Sequence, residues 1–154
     1  DEINPWHFRA AIAPLLAARL EEKSVKLPQI AAKIRAAQKR FDVLLVEGAG
    51  GLLSPLGENF NSRDLILALG AIPLVVAPNK LGVINQILLT LEALPENFRR
   101  NARVILMASL KPDAATSSNT KLLSEFFPAE QIFTVPRIGK IFRAGEIFSA
   151  LARI

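Results

Sequence analysis

Short apolar runs alternate along this chain with stretches of helical periodicity, and that alternation predicts its architecture. Val43-Leu44-Leu45-Val46 is a continuous apolar run closed by Glu47 and the turn Gly48-Ala49-Gly50-Gly51. A run of this length without polar alternation predicts a strand, Asp42 to Glu47, covered on both faces within a parallel sheet. Ile72 to Ala77, Arg103 to Ala108 and Ile132 to Pro136 repeat the pattern as three further strands. Helical periodicity occupies the intervals. Phe8 to Lys23 predicts a helix that starts late or kinks at Pro14, and Leu27 to Arg40 one with Pro28 in its first turn. Arg63 to Leu69 predicts a short helix capped by Asn61 or Ser62 and ended by Gly70. Val83 to Leu94, Thr116 to Phe127 and about Phe142 to Arg153 complete the set.

Strands alternating with helices of this length predict an α/β fold, a layered and mostly parallel sheet flanked by helices, as a single domain over residues 1–154. In such a sheet the loops that leave the carboxyl ends of the strands share one ligand-binding edge. Those loops are Glu47 to Leu56, Pro78 to Gly82, Ala108 to Asp113 and Pro136 to Lys140.

Composition narrows the functional classes. Of the 154 residues, 51% are hydrophobic and 21% charged, which describes a folded chain and not a disordered one. The apolar runs are strand-sized, so no membrane span is expected, and the first residues lack a signal-peptide pattern; the expected location is the cytoplasm. Cysteine is absent, which excludes disulfides, thiolate nucleophiles and cysteine-based zinc sites. The net charge of +5 is scattered, with only short pairs such as Lys39-Arg40 and Arg99-Arg100 and no interleaved aromatic ladder. That pattern argues against a nucleic-acid partner and for a field that draws small anionic substrates. His7 is the only histidine and Ser54 has no base in sequence reach, so a serine triad or a histidine metal cluster lacks material. The start Asp1-Glu2-Ile3-Asn4-Pro5 has no initiator methionine, and the chain is expected to be a piece of a larger domain.

Two places carry candidate chemistry. Glu47, at a strand end, is placed to bind Mg²⁺ directly or through water, and the glycine turn after it lets backbone N–H groups approach phosphate or carboxylate oxygens. Asn79-Lys80-Leu81-Gly82-Val83-Ile84-Asn85 opens a helix after a strand, where free N–H groups, the helix dipole and Lys80 favour an anion. The bland reading of this second stretch, a helix start with an exposed lysine, fits the spacing equally. No Gly-x-x-x-x-Gly-Lys-[Ser/Thr] sequence occurs.

These residues also carry a resemblance. Val46-Glu47-Gly48-Ala49-Gly50-Gly51 followed by Pro55-Leu56 resembles the central motif of the dethiobiotin synthetases. Pro73-Leu74-Val75-Val76 followed by Lys80-Leu81-Gly82-Val83-Ile84-Asn85 is similar to a second block of that family, and Asn4-Pro5-Trp6-His7-Phe8 with Ala13-Pro14 to a third. The resemblance implies a P-loop NTPase-like fold that here lacks its first strand and phosphate loop. It implies a homodimeric ligase that uses ATP and Mg²⁺ to carboxylate 7,8-diaminononanoate with CO₂ and close the ureido ring of dethiobiotin, in biotin biosynthesis. In that reading Glu47 helps hold Mg²⁺, and the backbone of Gly48, Ala49, Gly50 and Gly51 faces the nucleotide phosphates and the reacting carbamate. Lys80, Leu81, Gly82, Val83, Ile84 and Asn85 receive the distal carboxylate of the substrate. Pro136, Arg137 and Ile138 line the nucleotide base, with Ser109 near the position of an adenine-reading Asn. Leu15 stands where the family has a histidine. The expected consequence is negligible turnover by this chain alone. Two other readings stay open: a non-catalytic dimerisation or partner-binding module derived from the family, and a related amidoligase such as a cobyrinate amidase.

Overall fold

The computed structural model describes residues 4–109 and 112–136. The chain divides into two compact units, residues 1–71 and 72–154, each built around its own apolar contacts.

In the first unit, helix α1 (Pro14–Leu20) begins at the proline, whose missing N–H costs nothing in a first turn. Helix α2 (Leu27–Gln38) likewise carries Pro28 in its first turn. A two-stranded antiparallel hairpin follows, β1 (Pro55–Gly57) and β2 (Phe60–Asn61), which the sequence pattern did not announce. Gly57 is required there by close approach: a Cβ would run into the Phe60 ring and the Val25 carbonyl. Helix α3 (Ser62–Leu69) opens with a capping box, in which the Asn61 side chain accepts from the Asp64 N–H while the Asp64 carboxylate accepts from the Asn61 N–H. Left-handed Gly70 ends it, and the Arg35 guanidinium of α2 donates to the Ala68 carbonyl in its last turn. The core of this unit is Ala18, Val25, Leu56, Phe60 and Leu65, with Trp6, Phe8, Ile30 and Ile34 packed against it.

The second unit holds a three-stranded parallel sheet, β3 (Leu74–Pro78), β4 (Arg103–Met107) and β5 (Ile132–Val135), in the order β3-β4-β5. Helix α4 (Val83–Glu92) crosses from β3 towards β4 and packs on β3 and on α6 (Ala114–Leu123), burying Val83, Ile87 and Leu91 at helical spacing. A single turn, α5 (Glu96–Arg99), leads into β4. Helix α6 starts two residues before the expected Thr116 because Asp113 and Thr116 form a second capping box. A 3₁₀ turn (Ala129–Gln131) precedes β5. The expected helix from Phe142 to Arg153 lies outside the described residues.

Two expectations are corrected. Asp42 to Glu47 forms no strand, and its apolar run is open to solvent, with Val43 78% and Leu45 73% exposed. A strand exists only through a neighbour's hydrogen bonds; in this unit β1 and β2 pair with each other, and no described strand lies beside residues 42–47. The second correction concerns β3, which is covered on one face only. Leu74 and Val76 are exposed while Ala77 is buried, because among the described strands β3 pairs with β4 alone and α4 covers one side. Central β4, with Val104, Ile105 and Leu106 all buried, shows the fully covered pattern of a parallel strand, and β5 buries only Val135.

Candidate functional site

Parallel register makes the carboxyl edge of the sheet a defined line of residues. Pro78 pairs with Met107 and Met107 with Val135, so the chain leaves the three strands side by side. The ladder extends one step further: the Asn79 N–H donates to the Met107 carbonyl at 2.8 Å and the Ala108 N–H to the Val135 carbonyl at 2.9 Å. The loops that begin with Asn79, Ala108 and Pro136 therefore issue from one edge. That brings Lys80 to Asn85, Ser109 and Pro136 to the same side of the sheet; Arg137 and Ile138 lie outside the described residues.

At the start of α4 the chain turns through Gly82, whose φ of 86° is the left-handed region that a side chain would strain. The Val83 N–H donates back to the Lys80 carbonyl at 3.2 Å and the Gln86 N–H to the Gly82 carbonyl at 3.4 Å, leaving the N–H groups of Ile84 and Asn85 outside the hydrogen bonds of the turn. No side chain caps this helix, while Lys80, Leu81 and Gly82 are exposed around its start. The turn therefore presents backbone donors and a lysine together, a combination suited to a carboxylate or phosphate.

Beneath it lies a buried amide pair that pattern reading missed. Asn79 and Asn119 are 3% and 5% exposed. The Asn119 Nδ2 donates to Asn79 Oδ1 at 2.7 Å and to the Lys80 carbonyl at 3.2 Å, and the Asn79 Nδ2 donates to the Thr116 carbonyl at 3.1 Å. Neither residue stands out in one dimension, since asparagine in a loop and asparagine in a polar helix segment both read as surface. Asp113, at the head of the same helix, accepts from the Thr116 N–H and hydroxyl, and these bonds hold its carboxyl below the ordinary range.

The glycine turn belongs to the first unit. Glu47, Gly48, Ala49, Gly50 and Gly51 are all exposed. Gly50 has a φ of 83°, and the Gly51 N–H is used within the turn, donating to Ser54 Oγ at 2.9 Å. Ser54, which has no catalytic partner in the sequence, thus closes the loop after Glu47. On the other side the Ser62 hydroxyl lies 2.6 Å from where a Cβ on Gly48 would stand, and it is buried with no hydrogen-bond partner among the described residues. The side-chain donor that this turn exposes is hard oxygen, the Glu47 carboxylate, which is of the kind that suits Mg²⁺ and not a softer metal. Among the described residues no three His, Cys, Asp or Glu side chains gather, and an ion at this turn could take a single carboxylate, that of Glu47. No helix among the described residues is long and apolar enough to cross a membrane.

The parallel α/β framework is of the P-loop NTPase-like class, and residues 1–144 match the AAA domain family. Three curated relatives carry a more particular name, ATP-dependent dethiobiotin synthetase BioD. The protein of Caulobacter sp. (strain K31) is 40% identical over 148 residues, 94% of this chain and 63% of its own length. That of Phenylobacterium zucineum (strain HLK1) is 34% identical, covering 99% and 66%, and that of Thermodesulfovibrio yellowstonii 32% identical, covering 92% and 62%. The chain thus belongs to the dethiobiotin synthetase family of P-loop-type α/β proteins. It spans a little under two thirds of the length of these relatives, 63% in the Caulobacter case.

Proposed function

We propose that the protein carrying this chain is an ATP- and Mg²⁺-dependent ligase that carboxylates 7,8-diaminononanoate with CO₂ and closes the ring of dethiobiotin, working as a homodimer. The observation that carries the reading is the alignment of the Asn79, Ala108 and Pro136 loops on one sheet edge, which sets Lys80 to Asn85, Ser109 and Pro136 beside one another. The names of the relatives agree with it.

In this reading the Ile84 and Asn85 N–H groups and the Lys80 ammonium hold the distal carboxylate of the substrate, fixing how far its two amines extend along the edge. Ser109 and Pro136, at the ends of β4 and β5, border the nucleotide base, and Arg137 and Ile138 continue that wall. Glu47 would hold hydrated Mg²⁺, with the Gly48 and Ala49 backbone of the same turn offered to phosphate or carbamate oxygens. Bound Mg²⁺ supplies charge neutralisation for phosphoryl transfer. A carboxylate can hold the cation but is itself an anion and neutralises no phosphoryl charge, and residues 1–154 contain no Gly-x-x-x-x-Gly-Lys-[Ser/Thr] loop to do so, so negligible turnover is expected of them in isolation.

The test is ADP release coupled to a mass measurement of dethiobiotin, using 7,8-diaminononanoate, bicarbonate and MgATP with the full-length protein. Product formed only when all three are present supports the reading. ATP hydrolysis that ignores the diamine, or no product at all, overturns it in favour of a binding module.

A further inference from the structure

We propose that Asn79 and Asn119 are positioning residues, a buried amide latch that sets the conformation of the Lys80–Gly82 turn and so the aim of the α4 amino terminus. The proposal rests on the substrate reading above for the identity of what the turn receives, but its geometry is independent of it.

No side chain caps α4, and Gly82 in the left-handed region is the most permissive residue available at that position. The glycine turn beside an exposed lysine and leucine is held from within by two long main-chain bonds, Val83 N–H to the Lys80 carbonyl and Gln86 N–H to the Gly82 carbonyl. Further ties come from below. One Asn119 Nδ2 donates to both Asn79 Oδ1 and the Lys80 carbonyl, so residues at both ends of the Asn79–Lys80 peptide are tied to α6. The Asn79 Nδ2 returns a bond to the Thr116 carbonyl one helical turn away, and the Asn79 N–H continues the β4 ladder at Met107. The turn is therefore pinned to a strand and a helix through two asparagines that are almost wholly buried.

Burial makes the latch strict. The Lys80 carbonyl accepts from the Val83 N–H within the turn and from Asn119 across to α6, so losing the Asn119 amide leaves it only the bond inside the turn, while Asn79 Oδ1, on a buried side chain, loses its donor. The pair is also far more elaborate than packing needs: two apolar side chains of similar size would fill the space without bonding the turn. An amide pair that bonds main-chain carbonyls on both elements fixes orientation as well as volume.

The latch predicts a local effect. In the full-length protein, Asn119→Ala should raise amide hydrogen exchange at Asn79, Val83 and Gln86 about tenfold or more above any change at Val104, Ile105 and Leu106, the size expected from leaving one buried acceptor unpaired. Its KM for 7,8-diaminononanoate should rise about tenfold while the KM for ATP and kcat stay within about threefold. Asn79→Ala should give the same signature and serves if Asn119→Ala fails to fold. In the double variant the exchange changes should be markedly less than additive, because either single change already breaks the pair.

A rise in exchange spread equally over α4 and β4 would show ordinary loss of stability and overturn the latch. Local loosening of the turn with an unchanged diamine KM would overturn the positioning role. If the wild-type protein forms no dethiobiotin but Asn119→Ala still loosens Asn79, Val83 and Gln86 selectively, the latch stands and the substrate assignment falls.

Discussion

At Glu47 an exposed carboxylate stands beside backbone that tolerates little, so its replacement should separate function from folding. In the full-length protein Glu47→Gln is expected to lower the proposed Mg²⁺-dependent dethiobiotin formation about a hundredfold or more, the scale on which a single transition-state charge contact acts. The urea midpoint should be unchanged, because the side chain is solvated in the folded chain. Unchanged turnover would remove Glu47 from the site. Gly57 poses the opposite case. A Cβ there meets the Phe60 ring and the Val25 carbonyl, and the latter is backbone that cannot rotate away. Gly57→Ala should destabilise the first unit by about 1–3 kcal/mol through overpacking. Trp6, the only tryptophan, packs on that core, so its fluorescence reports the lowered urea midpoint directly.

Elements differ in what holds them. Helix α6 depends on its Asp113–Thr116 box at the amino end, and that box titrates. The Thr116 N–H and hydroxyl hold the Asp113 carboxyl below its ordinary value, so the charged form is favoured in the folded state. The contribution is fully present above the ordinary carboxylate pKa of about 4 and is lost as pH falls through the lower folded value. Exchange of the Thr116 amide, corrected for its intrinsic pH dependence, should therefore accelerate in acid. Asp113→Asn should remove that acid dependence. In the sheet, Leu106 of β4 is fully buried whereas Leu89 of α4 is mostly exposed. Leu106→Ala should cost about 2–5 kcal/mol, and Leu89→Ala within about 0.5 kcal/mol, by urea unfolding followed by circular dichroism.

On the scale of the whole chain, two apolar surfaces stand out, each within its own unit. Phe41, Val43, Leu45 and Val46 are exposed in the first, and Leu74 and Val76 in the second, on a strand whose outer edge has no described partner. Contiguous exposed apolar residues and open strand edges bind hydrophobic probes and promote association. The 154-residue chain should therefore enhance the fluorescence of an anilinonaphthalene sulfonate probe in the native state. Val43→Ser with Leu45→Ser should lower that signal without changing the urea midpoint; an unaltered signal would place the binding surface elsewhere.

Sequence by itself determined the α/β class, the carboxyl ends of β3, β4 and β5 and most helix limits, because these follow from local periods and caps; the fourth expected loop, Glu47 to Leu56, leaves no strand. The proline starts of α1 and α2 and the Gly70 stop of α3 are set by one or two residues, and β4 by its own apolar run. The candidate residues Lys80 to Asn85 were legible for the same reason, lying where a strand pattern gives way to a helix pattern. Tertiary structure decided whatever depends on a partner distant in sequence. Residues 43–46 have strand composition and no strand, since pairing is a property of two segments. The β1–β2 hairpin hangs on the fit of Gly57 against Phe60 and Val25, and Ser54 and Ser62 acquire roles only through the Gly51 N–H and the Gly48 backbone. Asn79 and Asn119 lie 40 residues apart, and nothing in either neighbourhood announces the 2.7 Å bond between them. That bond exists because parallel pairing of β3 with β4 brings the head of α6 under the turn, where two amides without water can satisfy only each other and the nearby backbone.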